Sequence, residues 1–160
     1  MSDEQVITEK VQLEANLVVR VAQQIDAEQL SLLNQEFNDS AVSARQIADY
    51  LANCPDHEKT VVAEIDGDLV GFACLQVYRS WCYPDVWAEL TEMFVKPDFQ
   101  RKGIGQAIVQ HVEELAKYAG AVEIGLLTGK RNIAGQSLYR KCGYIEEAKC
   151  VFSKKLMAES

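Results

Sequence analysis

The sequence predicts a mixed α/β fold, and three observations predict it. Strand-like runs rich in Val, Ile and Leu alternate with helix-like segments along the 160 residues. Asp66-Gly67 sits between two such runs, the composition of a tight hairpin. A helical stretch between Gly103 and Gly120 separates two further runs, as a crossover joining neighbouring strands requires.

The elements follow in order. Residues 1–15 are polar and read as a flexible arm ahead of a single domain over 16–157. Leu17 to Val21 is a first strand. Asp26 with Gln29 has the spacing of a capping box, with Ile25 and Leu30 as a hydrophobic staple, and predicts a helix to about Phe37. Ser43 with Gln46, flanked by Val42 and Ile47, repeats the device for a second helix ending near Asn53, before Pro55. Thr60 to Ile65 and Leu69 to Cys74-Leu75 are the hairpin strands; Gly67 supplies the positive φ of the turn. Trp81 to Trp87 reads as a loop leading into a strand over Ala88 to Val95.

Pro97 ends that strand. A helix opens near Gly103, keeps apolar residues at Ile104, Ala107, Ile108, Val112 and Leu115, and stops at Gly120. Val122 to Leu127 is another strand. Asn132 caps a short helix that ends at Cys142-Gly143, and Tyr144 onward returns to strand.

Composition excludes several classes. No apolar run approaches the ~20 residues that span a bilayer, and the acidic, polar start does not resemble a secretory leader. A cytoplasmic protein with reduced thiols is therefore expected. The five cysteines form no Cys-x-x-Cys pair, and with only His57 and His111 beside them no metal-ligand spacing appears. The formal charge of −8 is opposite to what a nucleic-acid binder needs, and favours cationic partners or simply solubility.

The chemistry concentrates in Gln100-Arg101-Lys102-Gly103-Ile104-Gly105. Here a strand runs through a loop into a helix whose start holds two glycines. Helix starts leave N–H groups without partners and carry partial positive charge, glycine lets a phosphate approach, and Arg101 and Lys102 add charge. Gly costs up to about 1 kcal/mol relative to Ala in a helix, so two within three residues need a reason. The run lacks the third glycine of a dinucleotide fingerprint and the Gly-Lys-Ser/Thr of a P-loop. An anion, most simply a phosphate, is the expected guest.

These six residues, with Asn132, Tyr139 and Gly143-Tyr144 downstream, resemble the GNAT superfamily of N-acetyltransferases, whose signature is Gln/Arg-x-x-Gly-x-Gly/Ala. The resemblance covers about Leu17 to Phe152. It implies a mostly antiparallel central sheet of about six to seven strands with about four flanking helices, acetyl-CoA as donor, and a small-molecule or peptide amine as acceptor. No nucleic acid, membrane or metal enters. Relatives commonly form a homodimer.

The resemblance also implies roles. The pantetheine arm would pair with the backbone of Met93, Phe94 and Val95. The pyrophosphate would sit on the amides from Arg101 through Gln106, that is Arg101, Lys102, Gly103, Ile104, Gly105 and Gln106, beside Gln100. Asn132 would contact the cofactor, and Tyr139 would protonate the departing thiolate; a phenol with its ordinary pKa of ~10 can do so at neutral pH. Tyr139 also suits a ring packed in the core. Glu89, eleven residues before Gln100, has the offset of the base in the histone-acetylating branch. Glu92 matches a position that tends to be acidic in diamine acetyltransferases. Period two puts Glu89, Thr91 and Met93 on one strand face and Leu90, Glu92 and Phe94 on the other, unless a bulge breaks the parity. Leu127 stands where the ribosomal-protein N-terminal acetyltransferases carry their base, which argues against that class and for a base acting through water. Trp81, Tyr83 and Trp87 suit either an aromatic wall for a cationic acceptor or anchors of their loop.

The leading expectation is direct acetyl transfer to a primary amine, with a polyamine or aminoglycoside-like acceptor favoured over a peptide or protein amine. A non-catalytic acetyl-CoA-binding module is the alternative. It would need neither Tyr139 nor an acidic strand residue.

Overall fold

A computed structural model describes residues 16–40 and 42–157. The expected arm over 1–15 lies outside them. One five-stranded sheet runs in the order β1 (Leu17–Val21), β2 (Glu58–Ile65), β3 (Asp68–Arg79), β4 (Val86–Val95) and β5 (Ala121–Leu126). The first four strands are antiparallel neighbours, and β5 lies parallel to β4. Helices α1 (Ala27–Asn38) and α2 (Ala44–Ala52) lie between β1 and β2 in the chain. Helix α3 (Ile104–Tyr118) is the β4-to-β5 crossover, and α4 (Ile133–Lys141) follows β5.

Two cores explain why β2 and β3 are apolar at consecutive positions rather than at alternate ones. On one face Val61, Ala63, Ala73, Leu75, Ala88 and Leu90 pack with Ile104, Ile108, Val109 and Val112 of α3. On the other, Val62, Leu69 and Phe72 pack with Leu30 and Leu33 of α1. A strand covered on both sides has no solvent face to fill with polar residues. The β2–β3 hairpin turns at Asp66 (φ 52°) and Gly67 (φ 89°), two left-handed residues whose twist matches that of the flanking strands.

The second helix start forms as expected: Ser43 Oγ accepts from the Gln46 amide at 3.2 Å, and Gln46 Oε1 accepts from the Ser43 amide at 3.0 Å. The first does not. Ile25 is 84% exposed and staples nothing. Asp26 closes a short 3-10 turn (Gln24–Asp26), accepting from the Gln23 amide at 2.7 Å. Its two oxygens also receive the Arg20 guanidinium at 2.7 and 2.8 Å, and the same guanidinium reaches Glu64 at 2.7 Å. An Arg fork matches a carboxylate better than one backbone amide does, so it takes the side chain from the cap. Gln29 donates to the Gly67 carbonyl at 3.1 Å and accepts from the Leu69 amide at 2.7 Å, pinning α1 to the hairpin.

The sheet has five strands rather than six or seven. From Tyr144 the chain joins no ladder among the described residues, and Ile145, Val151, Phe152, Leu156 and Met157 are all at least 69% exposed. Strand character is realised only where a ladder partner is bonded alongside, and among the described residues the tail is bonded to none.

Candidate functional site

The register of β4 sets up the site. Val86 to Leu90 pairs with β5 as far as Leu126, where β5 ends, while β4 continues to Val95 against β3 alone. Thr91 to Val95 therefore has one bonded edge and one open edge. The strands part at a bulge: Leu90 faces Leu75 and Glu92 faces Cys74, so Thr91 has no partner of its own. A bulge bends its strand and strengthens the twist, which turns β4 away from β5. The backbone of Met93, Phe94 and Val95 on that edge can take an extended guest as an added strand. Their side chains are committed elsewhere, Met93 and Val95 to the α3-side core and Phe94 beside Phe37 and Phe72.

The open edge leads directly into the glycine-containing turn. After a 3-10 turn (Pro97–Phe99), the Gln100 side-chain amide donates to the Val95 carbonyl at 2.9 Å, which locks the loop to the strand end. Arg101 (φ 59°) and Gly103 (φ 82°) are left-handed. The Ala107 amide donates to Gly103 at 3.0 Å, so the amides of Ile104, Gly105 and Gln106 precede the helical ladder. Nothing lies within 4 Å of where a Gly103 Cβ would stand, so its glycine answers the backbone conformation and leaves space for a guest. Gly105 has a different reason. Its Cβ would stand 2.9 Å from Leu138 of α4 and 3.6 Å from Met93, so glycine lets α3, α4 and β4 converge. Ile104 contributes backbone only, because its side chain is buried in the core. The Lys102 ammonium lies 5.5 Å from the Phe99 ring centre.

Asn132 caps α4 as expected. Its Oδ1 accepts from the Gly135 amide at 3.0 Å, and its Nδ2 donates to Thr128 Oγ1 at 3.1 Å. Gly135 is a position that sequence reasoning missed: a Cβ there would stand 2.4 Å from the Asn132 amide nitrogen. Seven residues, about two turns, separate Asn132 from Tyr139, so both lie on one side of α4. The Tyr139 ring packs on the α3-side core, 6.0 Å from the Tyr144 ring. Burial, and to a lesser extent Cys142, pushes its hydroxyl above the ordinary phenol value, so it stays a proton donor at neutral pH.

The bulge also corrects the strand parity. Glu89 pairs with Gln76 and Glu92 with Cys74, and Cys74 and Gln76 alternate on one face of β3. Glu89 and Glu92 thus share a face, with Phe94, while Leu90 and Met93 belong to the other. Glu58 joins the same face opposite Gln76, its carboxylate held by the Tyr50 hydroxyl. One row further along, Trp87 stacks on Tyr78 at 6.3 Å, meets Tyr83 edge-on at 5.4 Å, and lies opposite Glu123 of β5. Trp81 is 96% exposed and outside this cluster. Cys74 lies between these groups, its thiol pushed up to about 12 by burial and by the Glu92 carboxylate, so it is not a nucleophile near neutrality. The face combines carboxylates and aromatic rings, the chemistry that holds a cationic amine.

Comparison with known proteins identifies the family and the fold. An uncharacterized N-acetyltransferase of Methanocaldococcus jannaschii is 34% identical over 93 residues, 58% of this chain and 41% of the relative's length. An aminoglycoside N(6')-acetyltransferase type 1 of Klebsiella aerogenes is 31% identical over 107 residues, 64% of this chain and 70% of the relative. A solved aminoglycoside N-acetyltransferase in complex with CoA superposes with a TM-score of 0.76 at 20% identity, covering 88% of this chain and 95% of that one. That likeness shows the fold. The model of the acetyltransferase (GNAT) family matches residues 24–144, most of the sheet and all four helices, and the chain therefore belongs to the GNAT acetyltransferase family.

Proposed function

We propose that residues 16–157 form one N-acetyltransferase domain that moves an acetyl group from acetyl-CoA to a primary amine of a small cationic acceptor. The single observation that carries this reading is the open edge of β4 from Thr91 to Val95, continuous with the unpaired amides at the start of α3. An extended thioester-bearing arm fits the edge, and a pyrophosphate fits the helix start. Asn132 and Tyr139 flank the arm from α4.

The acceptor arrives as an ammonium ion and loses a proton to Glu89 or Glu92, directly or through a water. Its nitrogen lone pair then attacks the thioester carbonyl carbon, the C–N bond forms, the C–S bond breaks, and the nitrogen gives its second proton to solvent to leave the neutral amide. The leaving thiolate takes the Tyr139 proton, which solvent restores. The raised pKa of Tyr139 suits a donor rather than a base. The aminoglycoside acetyltransferase relative and the acidic, aromatic face both support a polycationic small molecule, polyamine or aminoglycoside-like, as acceptor. We further propose a cytoplasmic homodimer.

The test is turnover of acetyl-CoA against a panel of polyamines, aminoglycosides and peptide amines, in the wild type and in Tyr139→Phe. Acceptor-stimulated thiol release with a polycation supports the reading. Preference for a peptide amine moves the acceptor class, and binding of acetyl-CoA without any stimulated release leaves only a CoA-binding module.

A further inference from the structure

Gly125 stands in β5 without a structural reason of its own. Glycine weakens a strand interior, where it marks a bulge, the close approach of another backbone, or the close approach of a ligand. Register rules out the first: Gly125 pairs with Glu89 in an unbroken stretch, and the one shift between these strands lies between Val86 and Trp87. Its φ is not left-handed either. The second fails because nothing among the described residues lies within 4 Å of where its Cβ would stand. Gly71 of β3 is the contrast, since a Cβ there would stand 2.7 Å from the Phe94 carbonyl. For Gly125 a ligand remains.

The empty space is on the acceptor side of the sheet. Ile124 and Leu126 pack on the α3-side core, so strand alternation turns Gly125 to the opposite face, that of Glu89 and Trp87. One row across this face reads Glu58, Gln76, Glu89 and Gly125, a residue from each of β2 to β5. Three of these places carry long polar side chains; the fourth, beside Glu89, carries none. Gly125 precedes Leu126, the last residue of β5 to pair with β4, so the opening borders the point where the two strands part. On its other side stands Trp87, stacked on Tyr78 and met edge-on by Tyr83. A carboxylate and an apolar wall thus flank one vacant place.

The size of that place says what it suits. A chain of methylenes is slim and needs no missing Cβ to lie beside Glu89. A saturated ring does, because its atoms stand off the line of the chain.

We propose that Gly125 determines acceptor size, its space taking a saturated ring that bears the reacting aminomethyl group. Trp87 then covers the ring, the ammonium faces Glu89, and a second cation further along the row meets Glu58. This rests on the acetyltransferase reading above and narrows its acceptor from polycations in general to amines carried on a ring.

The experiment compares two diamines of equal charge with the same five carbons between their nitrogens, 1,3-bis(aminomethyl)cyclohexane and pentane-1,5-diamine. Calorimetric binding to the full chain in the presence of CoA, and turnover with acetyl-CoA, are measured for wild type, Gly125→Ala and Gly125→Val. The wild type is expected to prefer the ring diamine. That preference should fall by at least about tenfold in Gly125→Val, and by less in Gly125→Ala, in affinity and in kcat/KM alike. Acetyl-CoA affinity should stay within about threefold, and the melting temperature should hold or rise, because valine suits a strand better than glycine. An unchanged preference, a loss of acetyl-CoA affinity, or a wild type that binds no ring diamine overturns the proposal. If the variant fails to fold as valine, the alanine variant decides by the same signs. Binding that follows the expected pattern without turnover leaves the role of Gly125 standing and removes the acetyltransferase reading instead.

Discussion

Glu89 and Glu92 lie on the same face of the sheet, although three residues apart on β4, because Thr91 is bulged between Leu90 and Glu92. Two carboxylates are thereby offered together beside the edge where the donor is proposed to lie. Glu89→Gln/Glu92→Gln is expected to lower kcat by about 10²–10³-fold at neutral pH. Acetyl-CoA affinity should change less than about threefold, because its proposed contacts are to backbone. Steady-state kinetics with calorimetry checks both numbers, and a double variant with near wild-type kcat would remove the carboxylates from the chemistry.

Tyr139→Phe keeps the ring in the core and removes only the proton donor. A fall of about 10²-fold in kcat is expected, with little change in melting temperature. Since burial raises the hydroxyl above the ordinary phenol value of ~10, the wild-type kcat profile should show no alkaline loss from this group until pH exceeds about 10. An alkaline limb near pH 8 that vanishes in Tyr139→Phe would contradict the environment described for this ring.

Gly103→Glu places a side chain and a negative charge at a left-handed position facing open space. The backbone cost is about 1–2 kcal/mol, small enough to leave the fold in place. Acetyl-CoA binding should fall by at least about 100-fold in a direct titration. Undiminished affinity would place the pyrophosphate elsewhere.

Asp26 binds Arg20 through both oxygens while nearly buried, and the guanidinium, more than the Gln23 amide, holds its carboxyl below the ordinary carboxylate value. A depressed folded-state pKa means stability that is fully present above the unfolded value of ~3.9 and lost as pH falls through the folded one. Thermal melts from pH 7 to pH 2 should therefore drop steeply below about pH 4, and less so in Asp26→Asn. At pH 7 that variant should lose about 1–3 kcal/mol, because Glu64 still holds the partly exposed Arg20.

Local backbone demands were legible in the sequence. Gly103, Gly67, Asn132 and the Ser43–Gln46 pair each act within a few residues of their own position, and the structure has them where spacing placed them. Features set by distant partners were not. Asp26 reads as a cap until Arg20 and Glu64 arrive from two strands to claim the triad. The Thr91 bulge exists only relative to β3, so β4 alone carries no sign of it. Gly135 is required by the side chain of the cap, a contact that only geometry reveals. The tail reads as strand because its residues suit one, but no residue within the tail says which edge it should join.

The open half of β4 has a consequence for how such a protein can change. Its edge, proposed to grip the donor, is made of peptide groups that every amino acid but proline supplies alike. Its face, proposed to meet the acceptor, is made of side chains, and beside the proposed bases Glu89 and Glu92 it carries Glu58 and Trp87, which take no part in the proposed proton transfer. Substitutions at Glu58 or Trp87 can retune which amine is accepted while leaving the hold on the donor untouched. A single strand thus separates what must be inherited from what can be altered.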